Sequence, residues 1–276
     1  MSIDLHLHSK ASDGALLPEQ VVELASHLNL MTISLTDHDT VEGIDAAIEA
    51  SKKYGIEVIP GIEMSSDIDG RDIHIIGYYI DHQDKSFIKI LSQLKDNRES
   101  RTKRILEKLN DLDLNIGMDD INILSDNGTL GRAHIAKALL KNGYVEDIQE
   151  AFDKYIGRNG PAYVEKSAYS VGEIIKIIES VGGIPVLAHP GISKIDHLIP
   201  GFVDHGLKGL EAFHSEHTVE DSKRYKKMAE SLGLIITGGS DCHGLGSNKG
   251  LIMGSVFVPD YCLDDLRRYN VSLANH

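Results

Sequence analysis

The chain has 276 residues, and its 28 lysines and arginines against 42 aspartates and glutamates give a formal net charge of −14. Its length suits one large domain or two small ones, and its 41% hydrophobic content is that of a globular chain, not of a disordered, collagen-like or coiled-coil protein. The acidic excess argues against a protein that holds long duplex nucleic acid through a broad basic surface.

Short apolar runs alternate with amphipathic stretches along most of the chain. In the first part, this pattern predicts strands at residues 3–7, 32–35, 56–62 and 72–79, and helices at 18–28 and 41–53. In the last part, it predicts strands at 184–187, 207–213 and 234–237, and helices at 171–180 and 219–232. Strands mostly separated by helices favour a parallel α/β barrel or sheet.

The middle of the chain departs from this alternation. Helical patterns at about residues 84–110, 131–140 and 146–154 follow one another without a convincing strand between them. The turn cluster Gly-Arg-Asn-Gly-Pro at residues 157–161 then returns the chain to the core. We therefore predict a barrel built from residues 1–83 and 161–276, with a helical insertion at residues 84–160.

The first predicted strand carries two histidines, His6 and His8, on either side of Leu7. Because side chains alternate along a strand, both imidazoles lie on one face and can chelate one metal ion, while Leu5 and Leu7 face the other way. Asp13 follows in a Ser-Asp-Gly turn, near enough in sequence to fold back over the end of the strand.

Almost every predicted strand ends close to a histidine or an acidic residue, and in a parallel barrel these ends meet on the face where active sites are built. The candidate metal-ligating and catalytic residues are His6, His8, Asp13, His38, Glu63, His74, His189, Asp241 and His243. Nine ligands exceed what one ion uses. Imidazole combined with carboxylate suits Zn, Mn or Fe better than Ca or Mg, so we predict two or three divalent metal ions.

The two cysteines, Cys242 and Cys262, are too few for a disulfide framework or a four-thiolate zinc site. Asp241 and His243 point together from alternate positions, so Cys242 between them is expected to be a packed thiol rather than a ligand. The chain begins without a basic and apolar leader and contains no long apolar run. We therefore expect a cytoplasmic protein without a membrane partner.

Together these motifs resemble the polymerase and histidinol phosphatase (PHP) superfamily of metal-dependent phosphoesterases. The resemblance is carried by His6-Leu7-His8 with Asp13, Thr36-Asp37-His38-Asp39, Gly61-Ile62-Glu63, His74, Ala188-His189-Pro190 and Ser240-Asp241-Cys242-His243. It implies a distorted (β/α)7 PHP barrel with a trinuclear metal site. It assigns one ion to His6, His8, Glu63 and Asp241, a second to Glu63, His74 and His189, and a third to Asp13, His38 and His243.

The helical insertion resembles that of one subgroup, the 3',5'-nucleoside bisphosphate phosphatases and the related RNase AM-type exonucleases. Arg98 and Arg101 on one helix, and Arg132 and His134 at the start of another, carry this resemblance. It implies that the insertion caps the active site and that these basic residues grip substrate phosphate, as an arginine near a helix N-terminus can do. The alternative is that these residues belong to a solvated charged face.

Three further residues are expected beside the predicted ligands. The resemblance puts His214 and His217 on the substrate side of the site, although they could instead only hydrogen-bond the barrel rim. Asp37 is expected to orient a ligating imidazole, because a metal-bound histidine usually donates its second ring N–H to a carboxylate or carbonyl group.

The resemblance implies a hydrolase that acts on a small phosphorylated nucleotide. We predict hydrolysis of the 3'-phosphate of a 3',5'-nucleoside bisphosphate such as pAp by a metal-activated hydroxide. The near alternative is 5'-3' exonuclease action on a short 5'-phosphorylated oligoribonucleotide. The inserted arginines speak against histidinol phosphate phosphatase, and the complete set of nine ligands speaks against a non-catalytic, metal-stabilised PHP module.

Overall fold

The computed structural model describes residues 2–125, 130–165, 169–244 and 250–274. The strands in this part of the chain are β1 (Ile3–Leu7), β2 (Thr32–Leu35), β3 (Glu57–Ile68), β4 (Arg71–Tyr78), β5 (Ile184–Leu187), β6 (Gly209–His214) and β7 (Ile235–Gly239). The α-helices are α1 (Pro18–His27), α2 (Ile44–Tyr54), α3 (Lys85–Asn110), α4 (Met118–Ser125), α5 (Arg132–Lys141), α6 (Ile148–Ala151), α7 (Val171–Ser180), α8 (Pro190–Ser193), α9 (Ile199–Asp204), α10 (Val219–Leu232) and α11 (Asp260–Ala274). The chain divides into two compact units, Met1–Ile88 with Tyr169–His276, and Lys89–Ala168.

The first unit contains one sheet, in which the strands β1 to β7 follow one another in sequence order. The pairs β1–β2, β2–β3, β5–β6 and β6–β7 are parallel. A parallel bridge joins Leu7 to Cys242, and the His8 N–H donates to the Cys242 carbonyl at 3.1 Å. This bridge connects the segment after β7 to β1, so the predicted α/β barrel is confirmed as a nearly closed barrel.

Strand β4 runs antiparallel to both of its neighbours, β3 and β5, so the prediction of a parallel barrel is wrong at this position. The pairing of β3 with β4 extends to Ile68 opposite Arg71, which leaves Asp69 and Gly70 for the turn. Both have positive φ, 53° and 78°, as a two-residue Asp-Gly hairpin turn requires. A connection this short can join only antiparallel strands.

The hairpin also changes where two predicted ligands lie on their strands. Because β3 continues to Ile68, Glu63 lies in the middle of its strand and not at the end. His74 lies in the first half of β4, opposite Ser65. The prediction that strands present their ligands at their C-terminal ends is therefore wrong for Glu63 and His74. Because β4 runs in the opposite direction, its first half corresponds to the C-terminal end of a parallel strand.

The outer face of β1 and β2 packs under the first two helices. The apolar cluster there consists of Leu7, Val21, Val22, Ala25, Leu30, Ile33, Leu35, Ala47, Ile56, Cys242 and Met253. Cys242 is buried and carries a free thiol within this cluster, which confirms the prediction of a packed thiol. Among the described helices, none combines the length and the apolar character that a membrane span requires.

The second unit is helical in its described part and has an apolar core of its own. The prediction of a long helix ending at residue 110 is confirmed by α3, and the two shorter ones by α5 and by α6 with the π-helical turn Phe152–Ile156. Helix α4 has no counterpart in the prediction. It begins beside Gly117, whose N–H donates to the Asp120 carboxylate at 2.9 Å. The core includes Ile105, Leu109, Ile121, Ile135, Leu139 and Ile156. The predicted capping role of this unit stays a prediction.

Candidate metal centre

The carboxylate of Glu63 is fully buried and lies at the centre of the predicted ligands. A parallel bridge between His38 and Glu63 extends the pairing of β2 and β3 and brings the two residues together. Five ring nitrogens surround the carboxylate. Oε2 is 3.3 Å from His6 Nε2, 3.3 Å from His8 Nε2 and 3.1 Å from His38 Nδ1, and Oε1 is 2.9 Å from His74 Nδ1 and 3.0 Å from His189 Nε2. A carboxylate with this environment can bridge two metal ions.

Asp241 follows β7 and approaches the histidines of β1. Its Oδ1 is 3.1 Å from Nε2 of His8 and 3.6 Å from Nε2 of His6. Its N–H donates to the His6 carbonyl at 2.9 Å, and its φ of 55° is in the left-handed region that few residues other than glycine adopt. The alternation of His6 and His8 along β1 thus presents both rings to one carboxylate.

A third carboxylate, that of Asp13, lies beside a different set of rings. Its Oδ1 is 3.2 Å from Nε2 of His243 and 3.9 Å from Nδ1 of His8. Its Oδ2 is 3.9 Å from Nε2 of His38. His8 and His38 therefore lie between this carboxylate and Glu63, so the carboxylates form one continuous centre.

Most of the distances above, those of 2.9–3.3 Å, are close to the spacing of ligands around one metal ion. Donor atoms about 2.1 Å from one ion lie about 3.0–3.4 Å apart in octahedral or tetrahedral geometry. Sets whose donor atoms all lie within 4.8 Å are His8, Asp13, His38 and His243; His6, His8 and Asp241; His38, Glu63 and His74; and His6, Glu211 and His214. Eight of the nine predicted ligands belong to these sets, and the ninth, His189, contacts Glu63. The division of the nine among individual ions stays a prediction.

Several donor atoms of the centre are buried without a hydrogen bond to any described residue. They are Nε2 of His6, both ring nitrogens of His8, Nδ1 of His38 and Oε2 of Glu63. A buried polar atom without a partner costs about 1–3 kcal/mol, so a cluster of them is not retained without compensation. Divalent cations supply that compensation to imidazole and carboxylate groups, and the donor set fits them.

Burial and opposite charges shift the pKa values of these groups. Burial by itself would raise the pKa values of Asp13, Glu63 and Asp241. Neighbouring imidazoles, chiefly His243 for Asp13 and Asp241, lower all three carboxyl pKa values well below their usual range. Burial lowers the pKa of His38 to about 3. The three carboxyl groups therefore keep their negative charges in a buried site, which attracts cations.

Glu211 has no role in the sequence prediction, yet it contacts two of the predicted ligands. Its Oε1 is 3.0 Å from Nδ1 of His6, and its Oε2 accepts the backbone N–H of His189 at 2.8 Å. With Nδ1 of His6 engaged in this way, Nε2 faces Glu63. The sequence does contain a signal for a role of Glu211 in the site, because a glutamate within the buried apolar strand β6 requires a polar partner.

We expect Glu211→Gln to lower metal affinity about 10- to 100-fold, the usual cost of losing a carboxylate that orients a ligating histidine. Affinity is measured by competition with a chelating indicator dye. Glu216→Gln, an exposed glutamate five positions along, is the matched control and should leave affinity unchanged. Equal affinities for Glu211→Gln and the wild type would remove Glu211 from the site.

The position of Asp37 corrects the role predicted for it. Its Oδ1 accepts the Ser9 N–H at 2.7 Å and the Ser12 hydroxyl at 2.6 Å, and its Oδ2 accepts the Ser9 hydroxyl at 2.7 Å. The loop after β1 folds back over the end of β2 and occupies both carboxylate oxygens. Asp37 therefore holds the loop that carries Asp13, and no ligating imidazole is hydrogen-bonded to it in the described structure.

His214 lies at the end of β6 with its ring buried. Its Nε2 is 3.5 Å from Oδ2 of Asp241, and its Nδ1 accepts the Glu216 N–H at 3.1 Å. Its remaining ring nitrogen therefore faces the carboxylate of Asp241, a predicted metal ligand. A role of His214 in substrate binding stays a prediction.

A substrate-binding role of His217 stays a prediction, and the structure shows its contacts with the barrel rim. Its Nδ1 donates to the Ala212 carbonyl at 3.0 Å, and its Nε2 accepts the Gly191 N–H at 3.1 Å. Both ring nitrogens are thus occupied by the barrel rim, which was the alternative interpretation. A Cβ at Gly191 would lie 2.7 Å from the His217 ring, so this close approach needs glycine. The contact fixes the turn that follows His189.

We expect His217→Phe to lower the free energy of unfolding by about 2 kcal/mol, because the half-buried Gly191 N–H and the Ala212 carbonyl lose their side-chain partner. Urea unfolding measures this loss. His217→Gln keeps a polar side chain and should lose less. The KM for substrate should stay within about twofold of the wild-type value in both variants, and a large rise in KM at unchanged stability would place His217 in the substrate site.

Arg98 and Arg101 lie on α3, in the helical unit. Nη1 of Arg98 donates to the Leu130 carbonyl at 3.3 Å, and Nε of Arg101 donates to the Val164 carbonyl at 2.9 Å. Both side chains are half-buried. These arginines thus hold other segments of their own unit, and contact with substrate stays a prediction for them.

Arg132 and His134 lie in the first turn of α5. The Arg132 guanidinium is 5.6 Å from the centre of the Phe152 ring. His134 is buried, and its Nδ1 accepts the Gly131 N–H at 3.3 Å. His134 thereby caps the start of α5, while the half-buried Arg132 carries a charge beside that helix end.

Comparison with known proteins agrees with this geometry. The profile of the PHP domain matches residues 4–166. A 5'-3' exoribonuclease of Haemophilus influenzae is 34% identical over 90% of this chain and 94% of its own. A 3',5'-nucleoside bisphosphate phosphatase of Chromobacterium violaceum is 30% identical over 95% and 94%. A solved structure from Bifidobacterium adolescentis, described as a metal-dependent phosphoesterase, superposes with a TM-score of 0.85 at 30% identity, covering 96% and 94%.

Proposed function

The chain belongs to the PHP domain family. It is a metal-dependent phosphoesterase, and we propose that it removes the 3'-phosphate from 3',5'-nucleoside bisphosphates. The observation that carries this proposal is the convergence of five imidazoles on the buried carboxylate of Glu63. The similarity to the Chromobacterium violaceum bisphosphate phosphatase supports the choice of substrate. Histidine and carboxylate ligands favour Mn, Fe or Zn as the metals.

The residues of the chain have separate tasks in this proposal. The nine ligands would hold divalent ions, which when bound supply an activated water and neutralise charge on the phosphoryl oxygens. Glu211 keeps the His6 ring oriented towards Glu63. The rings of His38, His74 and His243 are 17%, 19% and 21% exposed, so they line the side from which substrate phosphate reaches the buried carboxylates.

The second phosphate of a bisphosphate needs cationic partners, and we propose Arg132 for this task, with Arg98, Arg101 and His134 beside it in the helical unit. We expect Arg132→Ala to raise the KM for pAp about 10-fold, the loss from one charge-assisted hydrogen bond, with little effect on a nucleoside monophosphate. Lys137→Ala, an exposed change on the same helix, is the control. An equal rise in KM for pAp and for the nucleoside monophosphate would instead place Arg132 at the scissile phosphate.

A second candidate function is 5'-3' exonuclease action on short 5'-phosphorylated RNA. The similarity to the Haemophilus influenzae exoribonuclease supports it, since that protein matches nearly the whole chain. The same centre could cleave a phosphodiester, because a metal-activated nucleophile attacks phosphorus in both reactions. The net charge of −14 favours a short substrate over a long duplex.

The deciding experiment is a substrate comparison with the Mn-loaded wild type. Phosphate or nucleotide release is measured from pAp, a 5'-phosphorylated tetraribonucleotide, AMP and histidinol phosphate. The proposal predicts the highest kcat/KM for pAp. A higher value for the tetranucleotide would favour the exonuclease, a higher value for histidinol phosphate would overturn both, and turnover of no phosphate ester would indicate a non-catalytic module.

We also propose a cytoplasmic location. Both cysteines are buried and unpaired, as is usual in a reducing compartment.

A further inference from the structure

A groove of about 480 Å³ on the barrel unit has no role in the function proposed above. Helix α10 contributes Val219, Ser222, Lys223 and Lys226 to its lining. These positions are spaced i, i+3, i+4 and i+7, so they lie on one face of the helix. The segment 255–257, ahead of α11, supplies further lining residues.

Aromatic side chains give the groove a surface for a flat ligand. Phe257 is 82% exposed, an unusual position for so large an apolar side chain, and Phe213 from β6 also lines the groove. Exposed aromatic rings of this kind are the surfaces on which unpaired bases of single-stranded nucleic acid stack. The volume is in the range of sites that hold molecules of nucleotide size.

Positive charge accompanies the aromatic rings. Lys223 is exposed, and Nζ of Lys226 lies 5.3 Å from the centre of the Tyr261 ring. Among the described residues, neither lysine forms an ion pair. Oγ of Ser215, which also lines the groove, is buried without a hydrogen bond to any described residue. The two lysines, in a chain of net charge −14, provide a local positive site for a phosphodiester.

The buried side chain of His214 lies between the groove and the candidate metal centre. This residue lines the groove, and its Nε2 is 3.5 Å from the Asp241 carboxylate. The groove is therefore next to the centre, on the side where α10 and its lysines lie.

We propose that this groove binds the part of a short single-stranded oligonucleotide that lies beyond the scissile phosphate. One base stacks on Phe257, and the adjoining phosphate lies near Lys223 and Lys226. This inference rests on the second candidate function, 5'-3' cleavage of short RNA, because a 3'-phosphomonoester such as pAp has no nucleotide beyond its scissile phosphate.

Binding is measured with a 5'-phosphorylated tetraribonucleotide that carries cleavage-resistant phosphorothioate linkages and a fluorescent 3' end. Fluorescence anisotropy should show that Phe257→Ala raises the Kd about 5-fold or more, as expected for loss of one base–aromatic stack. Lys223→Ala should also raise the Kd and should reduce its salt dependence. The KM for pAp should be unchanged in both variants.

Two control variants remove similar groups elsewhere on the unit. Leu273→Ala removes an exposed apolar side chain from α11, and Lys227→Ala removes an exposed lysine one position away on α10. Both should bind the tetranucleotide like the wild type.

Unchanged tetranucleotide binding in Phe257→Ala and Lys223→Ala would overturn the groove proposal while leaving pAp hydrolysis intact. A rise in the KM for pAp equal to the rise in the Kd for the tetranucleotide would also overturn it. The substitutions would then disturb the metal centre itself and not a separate binding site. A third result is that the wild type hydrolyses no phosphate ester, while the two variants bind the tetranucleotide more weakly than the wild type does. That result would support the groove proposal and refute the proposed function.

Discussion

Replacing Glu63 by glutamine should abolish metal retention and lower kcat/KM by more than about 100-fold, because even contacts that only orient a ligand contribute 10- to 100-fold. Glutamine has nearly the same shape but cannot carry the charge that faces five ring nitrogens. The carboxylate is completely buried, so water cannot replace it. Metal content per chain, measured by elemental analysis after gel filtration, should fall together with activity.

The matched control is Glu57→Gln, the same change at the start of the same strand. Glu57 contacts the Thr32 hydroxyl at 3.0 Å and Arg267 at the outside of the barrel, away from the predicted ligands. This variant should keep its metal and its activity. Circular dichroism and thermal unfolding establish that both variants are folded. A folded Glu63→Gln protein that retains its full metal content would remove Glu63 from the centre.

The sequence was sufficient to predict the barrel and the gathering of the ligands for a simple reason. His6 and His8 are two positions apart on a strand, and this spacing alone presents both rings on one face. Leu7, at the alternate position, packs instead in the apolar cluster under the first two helices. Local periodicity therefore carries most of the information about which side chains point into the barrel.

Strand direction was harder to predict, because it depends on connections and not on periodicity. The apolar pattern of β4 is the same in either direction, and only the two-residue Asp69-Gly70 turn specifies an antiparallel hairpin. That dipeptide is visible in the sequence and is the signal that would have corrected the prediction.

Contacts between residues far apart in sequence were the least predictable. Asp37 follows β2 beside a predicted ligand, His38, and yet it accepts hydrogen bonds from Ser9 and Ser12. Glu211 is 205 positions from His6, and it makes the contact that was expected of Asp37. Each carboxylate bonds the nearest unsatisfied donors after folding, and the order of residues along the chain does not specify which donors those are.

Removal of the metal ions should reduce both turnover and stability, and the second effect does not depend on any substrate. The buried ring nitrogens of His6 and His8 that face Glu63 and Asp241 form no hydrogen bond with any described residue. A ligand at 100 times its Kd adds about 2.7 kcal/mol of stability, which corresponds to a rise in Tm of about 5–11 °C for a chain of this size. Protein stripped with a chelator should therefore lose its hydrolysis of pAp, and reloading with Mn should restore both the activity and the higher Tm. Glu63→Gln should show no such rise on reloading. A wild-type protein whose Tm is the same with and without metal would show that these residues do not form a metal centre, whatever its activity.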